Sequence, residues 1–326
     1  MASGLGRVSI IIRCCNEEHH IGRLLEGIGQ QTVSGVEVIV VDSGSTDATL
    51  AIASRYPVKI ISINREDFSF GYALNVGCSA ATGDLLVLAS AHVYPLHRDW
   101  LERLLAPFAN EKVALVYGRQ VGNELANFAE NQVLRKWFPE KSDSNQDHPF
   151  CNNANAAVRR SLWERFPYDE TLTGLEDLAW ARQAMGAGYR IAYEAQAEVV
   201  HVHNERPQLL LNRYRREAIA LKRIFPEERF GLLDFIHRLS QNVVSDLFHA
   251  ARQGVLWQSL PGIMVFRCMQ FWGTYRGFAQ HGAVTRQLRQ KFYYPNELAT
   301  AGPRTIESET VRHRIDYGAL PDREDD

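Results

Sequence analysis

The sequence is short of several things, and each shortage removes a class of function. Its 5 cysteines (Cys14, Cys15, Cys78, Cys151 and Cys268) are odd in number, and none is spaced as Cys-x-x-Cys. That disfavours a zinc knuckle, a redox dithiol and a secreted disulfide framework, and predicts reduced thiols in a reducing compartment. Neither sign of charge is in excess: the net charge is −2, so no basic face argues for nucleic acid. No apolar run is long enough to span a bilayer, because Arg267 and Gln270 interrupt the best candidate. The start of the chain, Met1 to Arg7, lacks the apolar stretch of a signal peptide. Together these predict a cytoplasmic protein. Neither a Walker glycine-lysine loop nor Gly-x-Gly-x-x-Gly follows the first apolar strand, which disfavours a P-loop NTPase and a standard dinucleotide dehydrogenase.

What is present is an ordinary globular composition, 45% hydrophobic and 23% charged over 326 residues. That is enough for one large α/β core with an appended helical region. Short apolar runs at 8–12, 36–41, 58–63 and 85–89 read as strands, and 113–117 as another. Ile21, Leu24, Leu25 and Ile28 recur at helical spacing. Strands separated by helices imply right-handed crossovers and a mainly parallel sheet covered on both faces. Further helices are predicted over 124–137 and 175–185, the second stopped by Gly186 and Gly188. The polar stretch at 140–148 has the composition of a loop and would suit a mobile flap. From 208 to 282 the pattern is helical, with breaks expected at Pro226, Gly254 and Pro261. Its last part mixes Trp257, Ile263, Met264, Val265, Phe266, Phe271 and Trp272 with Arg267 and Arg276. Such a helix could lie on a membrane surface, pack on the catalytic domain, or join a second subunit as a homodimer.

Ligands of an open parallel sheet bind beyond the carboxyl ends of its strands. There the first strand runs into Arg13-Cys14-Cys15-Asn16-Glu17-Glu18 and the second into Asp42-Ser43-Gly44-Ser45-Thr46-Asp47. Small and hydroxyl residues at such turns leave room for a ligand and offer hydrogen bonds. Asp42 can accept from a nucleoside base or ribose, or it can close an Asx-turn or N-cap. Both readings stay open. Asp84 precedes its strand, lies at the opposite edge and reads as structural.

Several blocks in series carry a resemblance: Val-Ser-Ile-Ile-Ile-Arg-Cys-Cys-Asn-Glu-Glu at 8–18, Val-Asp-Ser-Gly-Ser-Thr-Asp at 41–47, and Phe-Gly-Tyr-Ala-Leu-Asn-Val-Gly at 70–77. Val-Tyr-Gly-Arg-Gln at 116–120, Phe-Cys-Asn-Asn-Ala-Asn-Ala-Ala-Val-Arg-Arg at 150–160, Gly-Leu-Glu-Asp-Leu-Ala-Trp at 174–180 and His-Val-His-Asn at 201–204 continue it. Over roughly 7–225 the chain resembles inverting family 2 glycosyltransferases of the GT-A fold, in their rhamnosyltransferase-like branch. The resemblance implies a nucleoside diphosphate sugar donor of the UDP or dTDP type and a glycan or lipid-linked acceptor. It implies donor contacts from Arg13, Asn16, Glu17, Asp42, Ser43, Ser90, Ala91 and His92. Asn153, Asn155 and Glu176 would meet acceptor or sugar.

One departure stands out. The family's Asp-x-Asp, whose carboxylate holds a divalent metal on the donor diphosphate, reads Ser90-Ala91-His92 here. Histidine can still bind Mn²⁺, whereas Mg²⁺ prefers oxygen. His203, with His201 as the alternative, resembles the family's distal metal histidine. His92 could therefore ligate a metal with His203, meet the diphosphate directly, or be structural. Arg13, Arg119 and Arg159 could supply the missing charge, Arg13 being best placed. The missing carboxylate also keeps open an inert glycan- or nucleotide-binding scaffold.

Transfer with inversion needs a base for the acceptor hydroxyl. Glu176 and Asp177 open a helix side by side and point in different directions. Thr173-Gly-Leu-Glu176 fits a capping box, which would occupy Glu176 and release Asp177. Taken alone, Asp177 is either a solvated first-turn acid or a base; in the resembled family the second acid of the pair is the base. A helix N-terminus would favour its ionised form by roughly 0.3–1 kcal/mol. The expected organisation is a catalytic domain at 1–225, a helical region at 226–298 and a polar flexible tail at 299–326. The expected location is cytoplasmic, including the inner face of the membrane.

Overall fold

The computed structural model describes residues 6–123, 126–202, 205–282, 288, 292–293 and 315. Apart from Ile315, the tail expected at 299–326 lies outside them. The first apolar runs become strands β1 (Val8–Cys14), β2 (Glu37–Asp42) and β3 (Lys59–Ser62), joined through helices α1 (Ile21–Gly29) and α2 (Thr49–Ala53). Next come α3 (Phe70–Ala80), β4 (Leu85–Ser90), β5 (Val93–Pro95), α4 (Trp100–Leu105), β6 (Val113–Val121), α5 (Phe128–Trp137) and β7 (Asn155–Arg159). The chain continues through α6 (Arg160–Arg165), α7 (Glu176–Gly186) and β8 (Arg190–His201) into α8 (Pro207–Ile224), α9 (Leu232–Arg252) and α10 (Leu256–Phe278).

The strands form one sheet in the order β3-β2-β1-β4-β7-β6-β8-β5. Strands β3, β2, β1 and β4 run parallel, as does β6 with β8. Strand β7 is antiparallel to β4 and β6, and β5 to β8. The mainly parallel expectation holds in the first half, and the second half is mixed. Both faces are covered, which is why β1 reads as an unbroken apolar run. Ile10 and Ile12 face one core with Leu24, Val40 and Trp100. Ile11 faces the other with Val41, Leu74 and Trp180.

Register brings the functional segments together. Arg13 pairs with Ser90 and Cys14 with Asp42, so the ends of β1, β2 and β4 share one edge. Because β7 runs opposite to β4, with Ala89 beside Asn155, the segment entering β7 starts at that same edge. Val93 beside His201 brings the end of β8 next to His92.

Two expectations need correction. Pro261 does not break a helix; it sits exposed inside α10. The stretch at 140–148 is tied down rather than shaped as a flap. Asp143 and Tyr193 exchange backbone hydrogen bonds of 3.0 and 2.7 Å, and buried Gln146 accepts one from the Tyr117 hydroxyl at 2.9 Å. Glu124, where a helix was expected to begin, lies outside the described residues, and α5 starts at Phe128 behind an Asn127 cap.

Helix α10 packs on α8, α9 and α5, and α9 also packs on α5. The approach of α10 to α8 is close: a Cβ at Gly277 would meet the Arg215 carbonyl at 2.6 Å and Ala218 Cβ at 2.5 Å. Arg267, which interrupts the long apolar run, is buried in this bundle. Its guanidinium grips Asp246 of α9 through two bonds of 2.7 and 3.0 Å and also reaches Gln270 and the Ala129 carbonyl. Removing one partner of such a pair strands the other charge, at a cost of about 3–5 kcal/mol. Asp246→Ala should therefore lower unfolding stability by that order in a urea titration. A loss below roughly 1 kcal/mol, the scale of a surface pair, would show that the bundle does not depend on it.

Candidate active site

The turn after β1 is stitched to the turn after β2. Asn16 adopts the left-handed region, with φ 55°. Its N–H donates to Ser45 Oγ at 2.9 Å, and its Oδ1 accepts the Thr46 N–H at 2.7 Å. The Glu17 N–H donates to Thr49 Oγ1 at 2.7 Å and the Glu18 N–H to Asp47 Oδ2 at 3.1 Å. Asp42 is buried and closes its own turn. It accepts the N–H groups of Gly44 and Ser45 at 3.0 and 3.1 Å, the Ser45 hydroxyl at 2.5 Å and the Cys14 thiol at 3.6 Å. Of the two roles open to Asp42, the Asx-turn is the one visible. Ser43 donates its N–H to the Cys14 carbonyl. Burial, and then the Asp42 charge, push the Cys14 thiol up, so it is no ready nucleophile.

Ser90 and Ala91 lie at the end of β4, with the Ala91 N–H donating to the Arg13 carbonyl. His92 follows, half-buried, its Nδ1 2.7 Å from Glu17 Oε1. Its ring stacks on that of His201 at 5.0 Å and 16°, and His201 Nδ1 meets Gln120 Oε1 at 2.6 Å. Burial alone would lower the His92 pKa. The Glu17 charge and hydrogen bond outweigh it and raise the pKa, favouring the imidazolium.

The contact of His92 Nδ1 with Glu17 leaves Nε2 as the nitrogen that could meet a metal. Among the described residues no set of three His, Cys, Asp or Glu side chains gathers as ligands. His203 lies outside those residues.

Glu176 and Asp177 open α7, and their setting differs from the capping box expected of them. The cap position is Leu175, with φ 56° and no side-chain cap, and Thr173 donates instead to the Arg216 carbonyl at 2.9 Å. Both acids are buried. Glu176 Oε1 lies 3.7 Å from Arg13 Nη1 and 3.4 Å from Asn153 Nδ2. Asp177 accepts the Leu178 N–H at 2.7 Å and the Asn153 N–H at 3.1 Å, one on each oxygen. The helix terminus was expected to favour ionised Asp177, and the opposite is found. Burial first, and the Glu176 charge second, push its carboxyl up to about 7 against those two amides and Arg13.

Other residues sort cleanly. Asn155 is fully buried and structural, correcting its assignment to sugar contact: Oδ1 accepts from Trp100 Nε1 at 2.9 Å, and Nδ2 donates to the Arg119 and Ala197 carbonyls. Arg159 is spent on the carbonyls of Val113, Phe108 and Asn110, and Arg119 pairs with Glu198 and Glu140. Asp84 is structural, accepting the Arg7 N–H at 2.9 Å. Arg13 is the one of the three candidate arginines that reaches the acid pair. Phe70 and Arg216 were not foreseen: the Arg13 and Arg216 guanidiniums lie 4.8 and 4.6 Å from the Phe70 ring centre. The run Arg213-Tyr214-Arg215-Arg216 was visible in sequence, but only packing selects which arginine turns inward.

Residues 9–166 match the sequence profile of Glycosyl transferase family 2. The chain is 35% identical over 198 residues to the O-antigen chain rhamnosyltransferase WbaN of Salmonella anatum, covering 57% of this chain and 62% of that one. It therefore spans less than two thirds of WbaN. Over 222 residues it is 31% identical to the O-antigen chain rhamnosyltransferase RfbN of Salmonella typhimurium, covering 64% of this chain and 70% of RfbN. Among solved structures, the mannosyltransferase PcManGT of Pyrobaculum calidifontis, in complex with GDP-Man and Mn²⁺, superposes with a TM-score of 0.56. It is 20% identical, with 90% of this chain and 88% of that chain covered, and establishes the GT-A fold alone. With 70% of RfbN matched at 31% identity, and with the acid pair buried beside the segment that enters β7, the chain belongs to glycosyltransferase family 2.

Proposed function

We propose that the chain is an inverting transferase that moves a sugar from a nucleoside diphosphate to a hydroxyl of a glycan or lipid-linked acceptor, with Asp177 as general base. The names of the two Salmonella relatives support rhamnose as the sugar and a growing O-antigen chain as the acceptor; a dTDP-linked donor follows from the branch resembled. The acceptor O–H gives its proton to the Asp177 carboxylate while its oxygen forms the new bond to the anomeric carbon. The bond from that carbon to the diphosphate oxygen breaks on the opposite face, and the diphosphate leaves with the electron pair. Donor contacts are assigned to Arg13, Asn16, Glu17, Asp42, Ser43, Ser90, Ala91 and His92, and acceptor or sugar contacts to Asn153 and Glu176.

The observation that carries the reading is the geometry at Asp177, a buried carboxyl that accepts one amide N–H on each oxygen beside Glu176; burial, and then the Glu176 charge, raise its pKa. A base works best when its pKa lies near the working pH. Glu176, paired with Arg13, is the neighbour that raises it. Asp177→Asn should cut turnover by roughly 10²–10⁴-fold and leave nucleoside diphosphate binding intact; near-wild-type turnover would refute the assignment. The sign of the pH effect follows from the raised carboxyl, which is protonated and inactive below its pKa. Activity should fall as pH drops through about 7, with an apparent value belonging to the acid pair. Glu176→Gln removes the charge that raises it, so the acid limb of the pH–rate profile should move to lower pH. A limb that stays in place would separate Asp177 from the base.

We further assign the exposed side of α9 and α10 to an anionic bilayer surface, where a lipid-linked acceptor resides. Ile236, Val244 and Phe248 of α9 and Trp257, Met264, Val265 and Trp272 of α10 are exposed, Trp257 to 82%. Arg238, Arg252 and Arg276 are exposed with them. The acids of the two helices are Asp234, bonded to the Gly231 N–H, and Asp246, buried on Arg267. Such an arc, apolar with basic borders, suits an anionic interface. No helix among the described residues is long and apolar enough to cross a membrane. The protein should sediment with phosphatidylglycerol vesicles and release in high salt, and Phe248→Ser with Trp257→Ser should weaken that binding at least about tenfold. Dimerisation without vesicle binding would instead assign the arc to a second copy.

A further inference from the structure

We propose that Arg216 of α8 and Arg13 at the end of β1 form a two-guanidinium clamp, built on the Phe70 ring, for the diphosphate of the sugar donor. The inference rests on the transfer reaction proposed above and adds to it the group that neutralises the leaving charge.

Two guanidiniums from distant parts of the chain meet at one aromatic ring. The Arg13 and Arg216 Cζ atoms lie 4.8 and 4.6 Å from the Phe70 centre, and Arg216 also lies 5.8 Å from the Tyr293 ring. Stacking on a ring holds a guanidinium plane while leaving its N–H edge to bond elsewhere. Those edges have unused donors. Nε and Nη1 of Arg13 and Nε of Arg216 are buried and make no hydrogen bond, and the Arg13 side chain is only 12% exposed. Its contact with Glu176, at 3.7 Å, is a charge pairing too long for a hydrogen bond. Buried polar groups without partners are uncommon enough to require a reason, and a ligand that supplies acceptors is one.

The position suits a diphosphate. The Arg13 side chain reaches to 3.7 Å from Glu176, the neighbour of the proposed base, while its backbone carbonyl accepts the Ala91 N–H beside His92, so Arg13 joins the acid pair to the strand end assigned to the donor phosphates. Arg213 and Arg119 differ in having carboxylate partners within 3.3 Å, Arg213 on Glu130 and Glu205 and Arg119 on Glu198. At 90–92 the chain carries His92 where a carboxylate would bring a metal's charge, and two guanidiniums would add cationic charge opposite the leaving diphosphate. Planar forks facing phosphate oxygens bind in bidentate fashion and gain strength as negative charge develops.

The test compares calorimetric binding of UDP and dTDP with that of UMP and dTMP, in wild type and in Arg216→Gln and Arg216→Lys. The clamp predicts that Arg216→Gln weakens the better-bound diphosphate by roughly tenfold or more and changes its monophosphate by less than twofold, with Arg216→Lys between. Unchanged diphosphate affinity, or an equal loss for both, would overturn the clamp. A wild type that binds no nucleotide would sink the parent reading instead. A check without variants covers misfolding: inorganic pyrophosphate should displace the diphosphate from wild type far better than orthophosphate does. Equal displacement by the two also overturns the clamp.

Discussion

Two adjacent carboxyl groups buried at the start of α7 are the constraint around which this molecule is arranged. Burial of one carboxylate is costly, and a second beside it adds repulsion. The fold offsets this by bringing Arg13 from the end of β1 to Glu176 and spending the Asn153 and Leu178 amides on Asp177. Arg13 arrives because β1 and β4 are in register at Ser90. Asn153 arrives because β7 runs back along β4 from the same edge. The mixed second half of the sheet is thus tied to the chemistry of the first half: an all-parallel sheet would put the entrance to β7 at the other end, away from the acids.

Much of this was legible in the residues, and the gaps have physical causes. Strands β1, β2 and β4 are continuous apolar runs because both their faces are buried, and they read plainly. Strands β7 and β8 did not, because alanine dominates their inward positions at 156, 157, 192, 195 and 197 and alanine has little strand preference. The acid pair was visible as a motif, but its protonation was misjudged from the helix terminus alone. A terminus effect below 1 kcal/mol cannot compete with desolvation and a neighbouring charge, and neither is written in local sequence. Asn155 was misplaced for a similar reason. The resemblance implied a sugar contact there, yet a buried Trp100 N–H and two strand carbonyls claim that side chain. Gly118 makes room for it: a Cβ there would collide with the Ala197 carbonyl and Asn155 Nδ2.

The helical region is more than an appendage because α8 belongs to both halves of the molecule. Its Arg216 carbonyl takes the Thr173 hydroxyl just before the acid pair, and its Arg213 ties to Glu130 of α5. On its other side, α10 lies so close that Gly273 and Gly277 admit no side chain. Close-packed helices move together or not at all. The surface formed by α9 and α10 is therefore fixed in distance and angle to the mouth of the acid site, through α8 and through the Arg267–Asp246 tie. On the proposal that this surface meets the bilayer, such a coupling would give a lipid-linked acceptor a defined reach to the Asp177 carboxylate. A hinged helical arm would have to restrict that reach again at every turnover.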